Sequence, residues 1–179
     1  MKITVCALTS FPSCNMRTNS SLPMLWISLL VIVLDQIAKQ VALAWLSLHQ
    51  AVNVMPGLDW YLTYNTGAAF SFLADAGGWQ RWFFTITTFV ISTIILFWIG
   101  RVPKQDKFTA VSLCLILGGA IGNLIDRVRF GYVIDYIQVW LGSYAWPAFN
   151  IADASISIGA VVLILSSFVK SENPAAKEN

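Results

Sequence analysis

Four stretches of this chain, at about residues 23–46, 82–100, 108–125 and 151–169, are apolar and long enough to cross about 30 Å of hydrocarbon. No other feature limits the fold so strongly. Backbone inside lipid must satisfy its own hydrogen bonds, so each stretch is expected to be a helix. The third is the shortest, and Gly118, Gly119 and Gly122 soften it. Gly118-x-x-x-Gly122 also has the small-residue spacing that lets two membrane helices approach closely. Composition agrees: 57% of the residues are hydrophobic and 11% charged, against about half and a quarter in soluble domains. The expected fold is an all-α polytopic membrane protein of one domain, with a small outward-facing β-sheet and an interfacial flap.

The flanking charges orient the spans. Lys2 and Arg17 precede the first, Arg101, Lys104 and Lys107 fill the turn between the second and third, and Lys170 and Lys177 follow the fourth. Loops rich in lysine and arginine stay in the cytoplasm. Both termini and the 101–107 turn are therefore expected there, with 47–81 and 126–150 facing outward. Arg127 and Arg129 run against this assignment, but Asp126 and Asp135 accompany them. Residues 1–22 read as a disordered cytoplasmic extension, 23–170 as the membrane domain, and 171–179 as a polar cytoplasmic tail. A net charge of +2 and the lack of a basic stripe argue against nucleic acid.

The outward segments carry structure of their own. Residues 51–73 alternate β-branched and aromatic residues with the turn signals Pro56-Gly57 and Asn65-Thr66-Gly67, which predicts short strands on the membrane surface. Asn65 reads equally well as a turn residue and as an amide aimed at a peptide backbone. Residues 136–149 are aromatic and almost uncharged, fitting an interfacial belt or a flap that offers an apolar surface to a lipid-bearing substrate.

Ionisable groups near lipid are costly and usually face a bundle interior, where they serve function. Asp35 lies about 18 Å into the first span at 1.5 Å per residue, with Lys39 one turn later on the same face and Gln36 and Gln40 extending it. A buried ion pair that docks this helix is the expected role. At the end of the third span, Asn123 and Arg127 share a face, and Asp126 is expected to pair with Arg127 or Arg129. Arg127 alternatively offers its fork of donors to a phosphate, a carboxylate or a peptide carbonyl. Asp135, between Val133-Ile134 and Tyr136-Ile137, is flanked by apolar residues that raise a carboxyl pKa. Asn150 and Asp153 open the fourth span, where both suit helix capping. Three cysteines without a spaced motif and a single histidine, His49, leave metal or Ser-His-Asp chemistry without its usual parts. We expect no metal and no cofactor. Two outward aspartates without metal ligands suggest a carboxylate pair sharing one proton, able to act together as general base and general acid.

Five blocks carry a resemblance: Asp35-Gln-Ile-Ala-Lys39, Asn65-Thr-Gly-Ala-Ala-Phe70, Gly118-Gly-Ala-Ile-Gly-Asn-Leu-Ile-Asp-Arg127, Gly131-Tyr-Val-Ile-Asp135 and Phe149-Asn-Ile-Ala-Asp153. In this order and spacing they resemble bacterial lipoprotein signal peptidase, the type II signal peptidase, over about residues 24–170. The resemblance implies a four-span inner-membrane aspartic endopeptidase. Such an enzyme removes the signal peptide from a prolipoprotein just before its diacylglyceryl-bearing cysteine. It implies Asp135 and Asp153 as the catalytic dyad. Asn65, Asn123, Arg127 and Asn150 become substrate-contacting or supporting residues, and Asp35, Lys39 and Asp126 supporting ones. The implied partners are the lipid-modified prolipoprotein and membrane lipids, and the expected state is a monomer. Tyr136 departs from the phenylalanine usual in the family. Two other readings compete. One is a small ion- or proton-coupled transporter using Asp35, Lys39 and the outward aspartates as its path. The other is a Ser-Lys peptidase using Lys39 with Ser47 or Ser71.

Overall fold

The computed structural model describes residues 20–67 and 79–171. The expectations for residues 1–19 and 172–179, for Ser71 and for the remainder of the 68–78 loop lie outside that range. Four helices appear where the apolar stretches predict them: α1 (Trp26–Trp45), α2 (Trp79–Arg101), α3 (Lys107–Arg129) and α4 (Ile151–Ser171). A 3-10 turn at Leu22–Leu25, with proline in its first turn, leads into α1. Among the described residues, the four candidate spans have mean hydropathies of 1.8 to 2.0.

Helix α3 is the hub: 61% of its span is buried, against 28% for α1 and 17% each for α2 and α4. Its glycines explain how so many neighbours reach it. A Cβ on Gly118 would stand 2.8 Å from the Val31 side chain of α1, and one on Gly122 would stand 2.7 Å from Asp35. Gly119 faces Ala152, Ser155 and Ile156 of α4. Close approach of backbones is what small residues provide where lipid tails compete equally for apolar side chains. In return α1 buries one narrow stripe, Ser28, Val31, Asp35, Lys39 and Ala42, spaced three and four residues apart as one helical face requires. The rest of α1, including Trp26, Leu30, Leu34, Ile37 and Val41, stays exposed for lipid.

Helix α3 runs four residues past the expected end at 125. Asn123 and Asp126 are polar, yet both face inward and are buried. A polar residue with partners inside the bundle does not end a span.

Between the helices lie four antiparallel strands in the order β1 (Ala51–Met55), β2 (Leu58–Asn65), β3 (Val133–Leu141) and β4 (Tyr144–Ala145). The predicted turn at Pro56-Gly57 joins β1 to β2, with Gly57 at φ 87°, where a side chain would be strained. The aromatic 136–149 segment supplies most of β3, all of β4 and the return to α4. Leu62, Ile134 and Tyr136 pack on Ala42 of α1, which fixes the sheet across one end of the bundle. Asp59, buried in β2, accepts bonds from Trp140 Nε1 (2.8 Å) and Asn53 Nδ2 (2.8 Å) and ties three strands together.

Candidate active site

One face of the sheet and the facing ends of α3 and α4 enclose a cavity of about 810 Å³. Asn65, Asn123, Arg127, Asp135 and Asp153 all line it, so five of the predicted site residues meet there. Strand register brings the first pair together. Asp135 lies opposite Thr63 and Val133 opposite Asn65, making Asn65 a diagonal neighbour of Asp135 on the same face. Its Nδ2 donates to Asp135 Oδ2 at 3.1 Å, while its Oδ1 accepts the Gly67 amide at 3.1 Å. The bond to Gly67 is the turn role expected of Asn65, while its amide is aimed at the Asp135 carboxyl and not at a peptide backbone.

Asn150 joins the two acids. Phe149 exchanges backbone bonds with Ile137 at 2.9 Å in each direction, which returns the chain beside β3 just before α4 begins. Asn150 Nδ2 then donates to Asp135 Oδ1 at 2.7 Å. Asn150 also caps α4: its Oδ1 accepts the Asp153 amide at 2.9 Å, and Asp153 Oδ2 accepts the Asn150 amide at 3.2 Å. This reciprocal box satisfies free donors of the first helical turn. The Asn150 side chain therefore caps α4 and reaches Asp135 at once. Asn123 Nδ2 completes the frame by donating to Asp153 Oδ1 at 2.8 Å.

All four carboxyl oxygens of Asp135 and Asp153 thus accept from an amide, and the donors named belong to three asparagines. Neutral donors hold a carboxylate in place without adding the full charge of an ammonium. Asp135 is 2% exposed. Burial, and then the charge of Asp153, push its pKa up to about 7 despite the bonds from Asn65 and Asn150. Asp153 is less enclosed. Arg127 lies over the Phe84 ring at 5.7 Å and reaches the Gly67 carbonyl at 3.5 Å, so its guanidinium borders the cavity beside the acids.

The remaining predicted residues sit behind the cavity wall. Lys39 pairs with Asp35 at 2.8 Å, as its helical spacing predicts, and with Asp126 at 2.7 Å. The expectation that Asp126 pairs with Arg127 or Arg129 is corrected here. Asp126 lies on the face of α3 toward α1, where Lys39 and Gln36 Nε2 (2.9 Å) meet it. Arg127 is turned about 100° away at 3.6 residues per turn, and Arg129 is exposed over Phe130. Gln36 joins this cluster, whereas Gln40 is exposed. Lys39 Nζ also bonds Asn123 Oδ1 at 3.0 Å, so its three donors have three acceptors. A Ser-Lys pair needs the lysine to accept the serine proton, and an Nζ that donates to three acceptors has no lone pair for it.

Tyr61, Trp146, Pro147, Phe149, Ile156 and Ile158 also line the cavity and were not singled out individually from the sequence. The aromatic 136–149 run points toward Trp146, Pro147 and Phe149 and the 51–73 stretch toward Tyr61, while Ile156 and Ile158 carry no signal beyond their place in the fourth apolar stretch. Ile158 is more than half exposed on the outer face of α4, so the cavity opens toward the lipid side of that helix.

Comparison with known proteins places these features. The family described as "Signal peptidase (SPase) II" matches residues 27–169. The chain is 52% identical over 149 residues to the lipoprotein signal peptidase of Pseudomonas paraeruginosa (strain DSM 24068 / PA7), covering 82% of this chain and 88% of that protein. It is 46% identical over 160 residues to the lipoprotein signal peptidase of Alteromonas mediterranea (strain DSM 17117 / CIP 110805 / LMG 28347 / Deep ecotype), covering 89% and 87%. A solved structure described as a bacterial membrane enzyme at 2.3 Å resolution superposes with a TM-score of 0.78 at 30% identity, over 90% of this chain and 96% of that one. These likenesses do not favour the transporter reading. A family match over most of the chain, with about half of the aligned residues identical to those of curated relatives, makes this protein a member of the signal peptidase II family of bacterial membrane proteases.

Proposed function

We propose that this protein removes the signal peptide from diacylglyceryl-modified prolipoproteins, cutting before the lipid-bearing cysteine, and that Asp135 and Asp153 carry the reaction. The observation that supports this most is the amide frame: two carboxyls at one cavity, joined through Asn150, one of them holding its proton up to about pH 7. The two acids are bridged by Asn150, and the charge of Asp153 favours the protonated form of Asp135. The more enclosed Asp135 keeps the shared proton and the more open Asp153 is the base.

The reaction follows from that division. Asp153 accepts a proton from a water, whose oxygen bonds to the scissile carbonyl carbon. Asp135 donates its hydrogen bond to the carbonyl oxygen as charge develops there. The tetrahedral intermediate then collapses, the C–N bond breaks, and the leaving amine takes the proton gathered by the dyad. Neither a metal nor a covalent enzyme intermediate is required. Asn65 and Arg127 offer donors to the carbonyls of an extended peptide laid along the cavity, and the opening beside Ile156 and Ile158 lies toward lipid for the diacylglyceryl chains.

The charge pattern supports the proposed topology. Arg101, Lys104 and Lys107 lie at the end of the bundle opposite the sheet, and the preference of lysine- and arginine-rich turns for the cytoplasm supports a cytoplasmic side for that end and for both termini. The cavity then faces the outer side of the inner membrane. Arg81 and Arg127 have work at the sheet end: Arg81 Nε and Nη2 donate to the Arg127 and Val128 carbonyls at 3.2 and 3.0 Å. The peptidase domain, expected over 23–170, also takes in Ser20–Leu22, where buried Ser21 bonds the Val102 and Pro103 carbonyls, and Ser171 at the end of α4; it acts as a monomer. The test is substitution: Asp135→Asn and Asp153→Asn each abolish cleavage of a diacylglyceryl-modified prolipoprotein while the protein still accumulates in the membrane. Retained full activity in either variant would overturn the dyad assignment.

A further inference from the structure

Lys39, Asp35 and Asp126 are each at most 1% exposed, and none lines the cavity. Their bonds nonetheless lead to both proposed catalytic acids by matching routes. Asp35 gives one oxygen to Lys39 at 2.8 Å and the other to the Ala152 amide at 3.0 Å. Ala152 immediately precedes Asp153. Asp126 Oδ2 takes Lys39 at 2.7 Å and the Ile134 amide at 3.2 Å. Ile134 immediately precedes Asp135. A third link runs through Asn123. Its Oδ1 accepts from Lys39 at 3.0 Å, which turns its Nδ2 toward Asp153 Oδ1 at 2.8 Å.

We infer that Lys39 is the centre of a two-armed clamp, in which Asp35 and Asp126 hold the backbone next to each member of the dyad and so set the spacing between Asp135 and Asp153. The three residues are positioning residues and touch no substrate. Docking helix α1 would need a single ion pair. It would not need two carboxylates that each spend an oxygen on the amide preceding a catalytic aspartate, one on a strand and one at a helix start. The arrangement also explains Gly122: a Cβ there would lie 2.7 Å from Asp35 Oδ2 and push that arm aside. A reaction dependent on two groups at hydrogen-bond range loses about 100-fold when one is displaced by about 1 Å.

This inference rests on the dyad reading and fails separately from it. The test compares Asp126→Asn with Asp126→Leu in the full chain, using steady-state cleavage of a diacylglyceryl-modified prolipoprotein. Asparagine keeps an oxygen for both Lys39 and the Ile134 amide; it loses only the bond from Gln36 Nε2, which retains the Gly122 carbonyl and Asp35 as acceptors. Leucine removes every link. Asp126→Leu is expected to lose about 100-fold in kcat with KM within about twofold, while Asp126→Asn stays within about tenfold of the parent. Equal kcat in the two variants, or a loss expressed in KM, overturns the clamp. Should the leucine variant not accumulate, Lys39→Met in an Asp35→Asn/Asp126→Asn background leaves no unpaired charge in the cluster and cuts the central link. The same kcat loss is expected there, and parental kcat overturns the clamp. The dyad itself is judged by Asp135→Asn and Asp153→Asn, so an intact dyad with a failed clamp is a distinct outcome.

Discussion

Gly119→Ala is the smallest change that should reach the proposed catalytic acids without touching one. A Cβ at this position would stand 2.5 Å from Ser155 Oγ and 2.7 Å from Ile156 Cγ1, and would also press on the Ala152 carbonyl oxygen. The two side chains can turn aside. The carbonyl is backbone in the first turn of α4, so relief requires that turn to retreat by roughly 1 Å, because packed interiors hold no spare volume. Asn150 and Asp153 retreat with it. The Asn123–Asp153 bond, now 2.8 Å, then lengthens to about 3.8 Å, beyond hydrogen-bond range. Overpacking of this kind costs about 1–3 kcal/mol. Alanine is favoured over glycine in a helix by about 1 kcal/mol, so the net loss of stability is at most about 2 kcal/mol and the protein still folds. Catalysis suffers more, since about 1 Å of misplacement is worth about 100-fold in rate. The assay pairs thermal unfolding in detergent with cleavage of a lipid-modified prolipoprotein. Gly100→Ala serves as control, its added carbon meeting only Leu22 Cδ2 at 3.9 Å, and should leave both readouts unchanged. Parental rate and stability in Gly119→Ala would refute the claim that the contact between α3 and α4 sets the dyad.

Two other substitutions separate reaction from folding. Asn150→Ala removes the bond to Asp135 and the cap on α4 together. It should cost about 1 kcal/mol in thermal unfolding from the cap and a far larger share of kcat. Trp140→Phe deletes the 2.8 Å bond to Asp59, distant from the dyad. It should lower stability by about 1.5–3 kcal/mol, the range for bonds to charged groups, with kcat unchanged.

The helices were legible because lipid imposes a simple length rule, and runs such as 151–169 obey it. The end of α3 was not. A run of Asn123, Asp126 and Arg127 looks like an exit from the membrane unless the partners of those side chains are known. Asp126 is the clearest instance. Its sequence neighbours are arginines, but its bonded cation is 87 positions earlier on α1. The candidate acids were legible as acids in apolar surroundings, and the family resemblance selected two of the three. The geometry around them depends on β2–β3 register and on glycine-mediated approach of α3 to α1 and α4. Register shifts between Trp60 and Thr63, and no local pattern discloses such a bulge. The pairing of Asn65 with Asp135 was therefore open to proposal from sequence but not to derivation.

The pH dependence of kcat/KM reads, in the free enzyme, the proton proposed for Asp135. Burial, and then the charge of Asp153, raise the Asp135 carboxyl from its ordinary value of 3.8 to about 7. Its acid form is thus present below about pH 7 and lost above it. The rate should fall as pH rises through about 7, approaching a tenfold drop per unit, as one required proton leaves. A rate that stays level from pH 6 to pH 9, in a protein still folded throughout, would contradict the proton-sharing pair.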